Sequence, residues 1–411
     1  MGGGFHIGRV AGIDVRVDWS LFIIFFLITL SLAGGVFPSW HPQWSPGLAW
    51  LTALGASLLF FASVFLHELS HALVGRAQGI EIKRITLFIF GGMAEMQHEP
   101  HTWRAELWMS LVGPLVSLVL GVMFLLLAAL IVGPLEVDAA DPQQFFSQLG
   151  PLATLLMWLG PINIFLAVFN LVPGFPLDGG RVLRALLWGI TGDLRRATQW
   201  ASRLGQVFAW VLIMMGFGMM FGLRMPIFGT GLVSGMWLAF IGWFLHNAAL
   251  VSYRQLLVRE SLENVPVSRL MQTRFVTVEP NMRLDTLVEE HLMPSGQRAF
   301  PVLDGERWVG IVCLQDIRKV KQEAWPSTAV GDIMTGAQDV AQVLPEADAA
   351  DAMATLSQRG VNQLPVVDQG TVRGLIRRED ILAWLALRSG ENLASMLPPL
   401  NESGGRPPRQ G

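Results

Sequence analysis

The sequence predicts a multi-pass α-helical membrane domain joined to a smaller α/β module. The 411 residues are 52% hydrophobic and only 15% charged, which is too apolar for an ordinary soluble fold of this length. Charged residues are also unevenly placed, because long stretches before residue 252 lack them, whereas the stretch 254–388 is rich in them. The later stretch repeats itself at a constant offset, matching Pro301 with Pro365 and Gly310 with Gly374, as expected for two copies of one unit.

Six apolar stretches are each long enough to span a bilayer as a helix, which takes roughly 20 residues. They are 19–37, 48–74, 107–132, 152–172, 201–223 and 232–251. Residues 1–18 alternate apolar and polar side chains, so they are predicted to be short amphipathic strands rather than a cleaved signal peptide. Residues 82–96 alternate in the same way around Gly91 and Gly92, which predicts a small membrane-associated β element sheltered by protein.

Arginine and lysine side chains lie almost entirely on one side of the six predicted spans. The loops 38–47 and 133–151 contain none. Because positively charged loops remain in the cytoplasm, both termini and the α/β module are expected there, in a multi-pass protein of the cell membrane. The formal net charge of −3 argues against a nucleic-acid partner, and the single cysteine, Cys313, excludes a disulfide framework.

The second predicted span ends with HELSH, residues 67–71, on an otherwise apolar helix. Positions i and i+4 of a helix share a face, so His67 and His71 can direct nitrogens at one zinc ion, with Glu68 beside them as a base. Ionisable groups inside a span are costly unless they are used, which favours a metal site. The alternative is a histidine pair that forms hydrogen bonds to neighbouring helices.

A catalytic zinc takes three protein ligands and leaves one position open. The segment NLVPGFPLDGGR, residues 170–181, provides an acidic side chain where the fourth span breaks at two prolines. Because a broken helix is tolerated at membrane depth where it lines a cavity, Asp178 is the expected third ligand. The alternative is that Asp178 caps the helix that follows it.

These motifs together resemble the site-2 protease family of intramembrane zinc metalloproteases. The resemblance rests on HELSH, on FGGMA at 90–94, on Gly113-Pro114 and on FNLVPGFPLDGGR at 169–181. It implies a six-span protease domain over 19–252 with one zinc ion per chain. The roles that it implies are zinc ligation by His67, His71 and Asp178, and catalysis by Glu68 and Asn170.

The substrates that the resemblance implies are membrane-anchored proteins cleaved within or near a transmembrane helix, inside the lipid bilayer. A peptide bond in such a helix must first be unwound, and pairing with a strand edge at Gly91 and Gly92 would offset that cost. Asn163 lies on the same helical face as Asn170 and is a further candidate for substrate binding. An interhelical hydrogen bond is an equally good explanation of Asn163.

The repeated module resembles a pair of CBS domains. The copies are placed at 265–325 and 326–390, after a linker at 253–264 and before a tail at 391–411 that is expected to be disordered. In that family an aspartate matching Asp316 and Asp380 binds the ribose of an adenine nucleotide such as ATP, and the pairs often form dimers, so a homodimer is expected. The usual hydroxyl residue is replaced by Cys313 and Arg377, so helix capping by both aspartates stays open as an alternative.

The sequence therefore predicts a zinc-dependent intramembrane endopeptidase that acts in regulated intramembrane proteolysis, with a cytoplasmic CBS pair adjusting it through adenine nucleotide. A CBS-bearing transporter would require inverted repeats with paired broken helices, whereas in this sequence only the module repeats. A sensor without protease activity is disfavoured, because both histidines and both acidic residues of the two motifs are present.

Overall fold

The computed structural model describes residues 4–89, 91–96, 100–133, 142–225, 229–295 and 297–389. The predicted disordered tail at 391–411 lies outside these residues. The chain divides after Tyr253 into two compact units.

Six helices of the described part of the first unit are long and apolar enough to cross a membrane, which confirms the predicted fold class. These candidate spans are Trp19–Trp40, Pro46–Ala77, Trp103–Val132, Pro151–Asn170, Leu194–Met220 and Leu232–Val251. The first is longer than the predicted stretch 19–37, because a helical turn at Phe37–Trp40 follows the π-helical turn Leu32–Val36 without a break. The fifth begins earlier than the predicted 201–223, since it opens with an amphipathic segment that hydropathy alone does not mark.

The amphipathic segments of the first unit form one sheet. Its strands are β1 Gly4–Val10, β2 Ile13–Asp18, β3 Ile82–Phe88 and β4 Gly91–Met96. The strand order is β1-β2-β3-β4, with β2 parallel to β3 and the outer pairs antiparallel. Apolar side chains of the inner strands, such as Ile13 and Ile85, pack on Ala72 and Met109 of the helices. β4 is therefore an edge strand with one side free of any partner strand in the described residues.

The helices between residues 19 and 262 begin and end at residues with the local chemistry of a helix boundary. They are α1 Trp19–Ser31, α2 Phe37–Trp40, α3 Pro46–Ala77, α4 Trp103–Val132, α5 Pro142–Ser147, α6 Pro151–Asn170, α7 Asp178–Thr191, α8 Leu194–Met220 and α9 Leu232–Leu262. Asp18 caps α1 by accepting a hydrogen bond from the Ser20 amide, and Thr102 caps α4 in the same manner. α6 ends before Pro173 and Pro176, which cannot continue it.

The second unit contains two copies of a helix-strand-strand-helix unit, as predicted. The first copy has α10 Leu284–Thr286, which continues as a π-helix at Leu287–Leu292, then β5 Ala299–Asp304, β6 Arg307–Cys313 and α11 Leu314–Ile317. The second copy opens with α12 Val330–Ile333 and β7 Thr335–Gly336. The second copy has α13 Ala349–Arg359, β8 Gln363–Asp368, β9 Thr371–Arg377 and α14 Arg378–Ser389.

The two copies exchange their leading segments. Val267 and Leu270, at the start of the first copy, pack in the core of the second copy. Val330 packs in the core of the first copy, and β7 pairs with β6. Most of the stretch set aside as a linker, 253–264, is the end of α9.

Candidate metalloprotease site

The HELSH motif lies within α3, so His67 and His71 are one helical turn apart on one face. Their Nε2 atoms are 3.1 Å apart. His67 is buried, with only 3% of its surface exposed. Two polar rings on an apolar helix thus point toward the protein interior rather than to lipid.

The third predicted ligand meets the two histidines from another part of the chain. Asp178 is the first residue of α7, and its Oδ2 lies 3.1 Å from His67 Nε2 and 3.2 Å from His71 Nε2. The loop before α7 is held by a hydrogen bond from the Phe175 amide to the Ala201 carbonyl. The carboxylate of Asp178 therefore lies against the histidine pair, in addition to standing at the start of a helix.

Helix α4 supplies partners for the other nitrogen of each ring. His71 Nδ1 is 2.6 Å from the Met109 carbonyl oxygen, and His67 Nδ1 is 2.9 Å from Ser117 Oγ. A carbonyl oxygen only accepts, so the neutral His71 ring carries its proton on Nδ1 and leaves the Nε2 lone pair free. Both rings are thereby oriented toward Asp178.

The three converging atoms fit a zinc ion. Bond lengths of about 2.0 Å place neighbouring ligand atoms of a tetrahedral zinc about 3.3 Å apart. The observed separations of 3.1, 3.1 and 3.2 Å are close to that value. Two nitrogen lone pairs and a carboxylate oxygen at this spacing form a donor set that a cation stabilises, and the three residues are the group of potential ligands found within the described residues.

Two glycines allow other elements to approach these side chains closely. A Cβ on Gly113 of α4 would overlap His71 Nε2 and would lie 2.7 Å from His67 Nε2. A Cβ on Gly92 of β4 would overlap Glu68 and would lie 2.8 Å from its Cδ atom. The edge strand β4 consequently runs directly beside the predicted catalytic base.

Comparisons with known proteins identify the family of this chain. The family model described as "Peptidase family M50" matches residues 55–150 and 129–212, and the CBS domain model matches 267–323 and 330–387. A Synechocystis protein provisionally named a zinc metalloprotease is 33% identical over 389 residues, covering 94% of this chain and 96% of that protein. The chain belongs to peptidase family M50.

Other relatives of this M50 protein have similar names. A zinc metalloprotease of Methanocaldococcus jannaschii is 28% identical over 330 residues, covering 80% of this chain and 84% of that protein. A solved structure titled as a site-2 protease from the same organism is 25% identical, covers 61% of this chain and 95% of its own, and has a TM-score of 0.39. The protein is thus a zinc metalloprotease of the M50 family that carries two CBS domains.

The remaining predicted residues of the M50 domain differ in their surroundings. Asn170 ends α6 and is partly buried. Asn163 is fully buried, and its amide nitrogen donates to the Leu159 carbonyl, while its Oδ1 has no partner among the described residues. Because that bond lies within α6, it is not the interhelical hydrogen bond offered as the alternative for Asn163, whose role in substrate binding stays a prediction. Gly91 and Gly92 lie on the edge strand, as the substrate hypothesis requires.

The two CBS aspartates have different partners. Asp316 accepts from the Cys313 amide and thiol and from Lys319, whose side chain is 75% exposed. Burial acts to raise the pKa of Asp316, but the hydrogen bonds from Cys313 and Lys319 outweigh it and hold the pKa below its usual value. Both carboxylate oxygens of Asp380 are bound by the Arg377 guanidinium, at 2.9 and 2.7 Å. Each aspartate also accepts from the backbone three residues earlier, as a capping residue does.

Several groups around the site were not predicted from the sequence. Ser117 and the Met109 carbonyl have no motif of their own. A buried ion pair between Glu106 of α4 and Arg184 of α7 was also missed. The only local signals are Glu106 in the first turn of α4 and Arg184 midway along α7, and neither indicates its partner.

Proposed function

We propose that this M50 protein hydrolyses peptide bonds within or near transmembrane segments of membrane-anchored proteins, using zinc held by His67, His71 and Asp178. One observation carries the proposal. Three ligand atoms, two from α3 and one from α7, lie 3.1–3.2 Å from one another in a unit of membrane-spanning helices. Glu68, on the same helix turn, completes the set of groups needed for hydrolysis.

A bound zinc ion would polarise the scissile carbonyl and make water acidic enough to act as a nucleophile near neutral pH. The Glu68 carboxylate takes the proton of the attacking water and returns it to the amide nitrogen of the leaving group. The Asn170 side-chain amide donates a hydrogen bond to the developing oxyanion. The α4 carbonyl and hydroxyl keep both histidine rings oriented throughout.

The first test is zinc content together with cleavage of a transmembrane reporter in detergent or vesicles. We expect about one zinc per chain in the wild type, and less in His67→Ala and Asp178→Asn. Glu68→Gln should keep zinc and lose turnover. Zinc loss confined to His67→Ala would return Asp178 to a capping role, and a wild type without zinc would refute the proposal.

We further propose that substrate enters as an extended strand along β4. Among the described residues no strand pairs with the outer edge of β4, which passes Glu68 at Gly92, so an added strand would lie beside the catalytic base. Alternate residues of an edge strand direct their N–H groups away from the sheet. One of the two variants Met93→Pro and Ala94→Pro therefore removes an outward N–H group and leaves the hydrogen bonds between β3 and β4 intact. That variant should keep zinc and lose cleavage; normal cleavage by both variants would contradict strand addition.

We propose that the CBS pair and both termini face the cytoplasm. Support comes from the arginine and lysine bias of the loops. Gln43→Cys and Glu306→Cys, each in a Cys313→Ser background, place one thiol on each side. A membrane-impermeant maleimide added to intact cells should label only Gln43→Cys, and labelling of Glu306→Cys alone would reverse the orientation.

We also propose that one adenine nucleotide binds per chain, at Asp316. Its lysine partner is solvent-exposed and can move aside, whereas Asp380 is held on both oxygens by Arg377. Calorimetric titration of the full chain with ATP should give one site, lost in Asp316→Asn and kept in Asp380→Asn. Equal binding by all three proteins would refute this assignment, and the expected homodimer stays a prediction.

A further inference from the structure

One face of α4 contacts the two proposed histidine ligands directly and also contacts α7, the helix that carries Asp178. Its four contributors are Glu106, Met109, Gly113 and Ser117, at successive spacings of three or four residues. Residues at such spacings lie one above another along a helix. All four are buried in the protein rather than directed at lipid.

The C-terminal part of this face contacts the histidines. Ser117 is completely buried, and its Oγ lies 2.9 Å from His67 Nδ1. When His67 Nε2 faces a cation, Nδ1 is the protonated nitrogen, so Ser117 Oγ is the acceptor that fixes the ring. Gly113 leaves room for both rings to lie against the helix.

The N-terminal part of the face contacts the helix that carries Asp178. Arg184 is on α7, less than two turns after Asp178, and its Nε donates to Glu106 Oε1 at 2.6 Å. Both side chains are buried, with 6% and 1% of their surfaces exposed. The same guanidinium lies 5.3 Å from the ring centroid of Phe175, in the loop that leads to Asp178. The pair therefore joins α4 to both sides of the third ligand.

We infer that Ser117 and the Glu106–Arg184 pair are positioning residues that set the distance between the histidine pair and Asp178. The inference rests on the zinc site proposed above. It makes α4 a common support, to which the two ligand-bearing helices are fixed separately. Loss of either attachment should loosen zinc without removing any ligand.

Ser117→Ala tests the histidine attachment. Partners of metal-bound histidines typically contribute 10- to 100-fold to metal affinity, so the zinc dissociation constant should rise by about that factor. Ser110→Ala is the matched control, because Ser110 is also buried on α4 and its hydroxyl has no partner among the described residues. Competition with a chromogenic chelator on the full chain in detergent measures both constants.

A double-mutant cycle tests the aspartate attachment. Glu106→Gln and Arg184→Gln each break the ion pair between two buried side chains, so each should weaken zinc binding about 10-fold or more. The double variant should lose no more than either single variant, because it removes both charges. Glu106→Asp, which keeps the charge on a shorter side chain, replaces any single variant that does not fold.

The zinc-free unfolding temperature separates positioning from general stability. If the pair only stabilises the fold, the variants will unfold at lower temperature with unchanged zinc affinity, and the inference is overturned. Equal affinities in Ser117→Ala and Ser110→Ala would also overturn it. A wild type that binds no zinc would refute the proposed function itself.

Discussion

Gly113→Ala should disable the zinc site through the addition of one methyl group. The new Cβ would lie 2.7 Å from His67 Nε2 and would overlap His71 Nε2. Because unbonded heavy atoms need about 3.5 Å, His67 would have to retreat by about 0.8 Å and His71 by more than 1 Å. The Nδ1 atom of each ring is bound to α4 itself, so neither ring can retreat without losing that hydrogen bond.

A displacement of about 1 Å at a catalytic centre costs on the order of 100-fold in rate. We therefore expect Gly113→Ala to cleave the transmembrane reporter about 100-fold more slowly and to bind zinc at least 10-fold more weakly. Gly121→Ala is the matched control on the same helix. Its Cβ would lie 2.7 Å from Ile164 Cγ1 and 2.8 Å from the Gly160 carbonyl, so it strains the α4–α6 contact without touching a histidine.

Gly121→Ala should lower the unfolding temperature and keep zinc affinity near the wild-type value. Gly113→Ala should keep an unfolding temperature near the wild-type value and lose zinc affinity. Wild-type zinc affinity and wild-type cleavage in Gly113→Ala would show that the histidine rings do not rest against α4 in the working enzyme, and the reasoning would be wrong.

Three other predictions concern the base, the oxyanion and the CBS pair. Gly92→Ala should displace Glu68 and lower kcat about 100-fold at unchanged zinc stoichiometry, whereas an unchanged kcat would contradict the placement of β4 beside the base. Asn170→Ala should lower kcat about 100- to 1,000-fold with normal zinc content, and an unchanged kcat would remove Asn170 from the mechanism. Arg377→Ala frees the Asp380 carboxylate, so an ATP titration should find two sites per chain instead of one. A stoichiometry that stays at one would argue that Arg377 does not block nucleotide binding at Asp380.

The parts of the site that the sequence predicts are those encoded locally. His67 and His71 share a helix face because of their spacing, and Asp178 follows a helix break that two prolines make visible. The support from α4 has no comparable signal. Ser117 is 50 residues from His67 in the chain, and Met109 contributes a backbone carbonyl that any residue could supply.

The same distinction applies to the fold. Hydropathy counts the spans well, because a bilayer sets a minimum length for apolar helices. Alternation marks the segments 1–18 and 82–96 as strands, but it does not specify which strand pairs with which. The parallel pairing of β2 with β3 depends on helices α1 and α3 bringing the two segments together, so it emerged only from the structure.

That parallel pairing has a consequence for biogenesis. β2 leads directly into α1, and β3 follows α3, so residues 19–81 must cross the bilayer and return before the two strands can meet. At about 5–20 residues per second, translation leaves the β1–β2 hairpin without its neighbour for several seconds. During that interval the open side of β2 is exposed to chaperones and to other nascent chains. Completion of the sheet would therefore report that the first pair of spans has been inserted correctly.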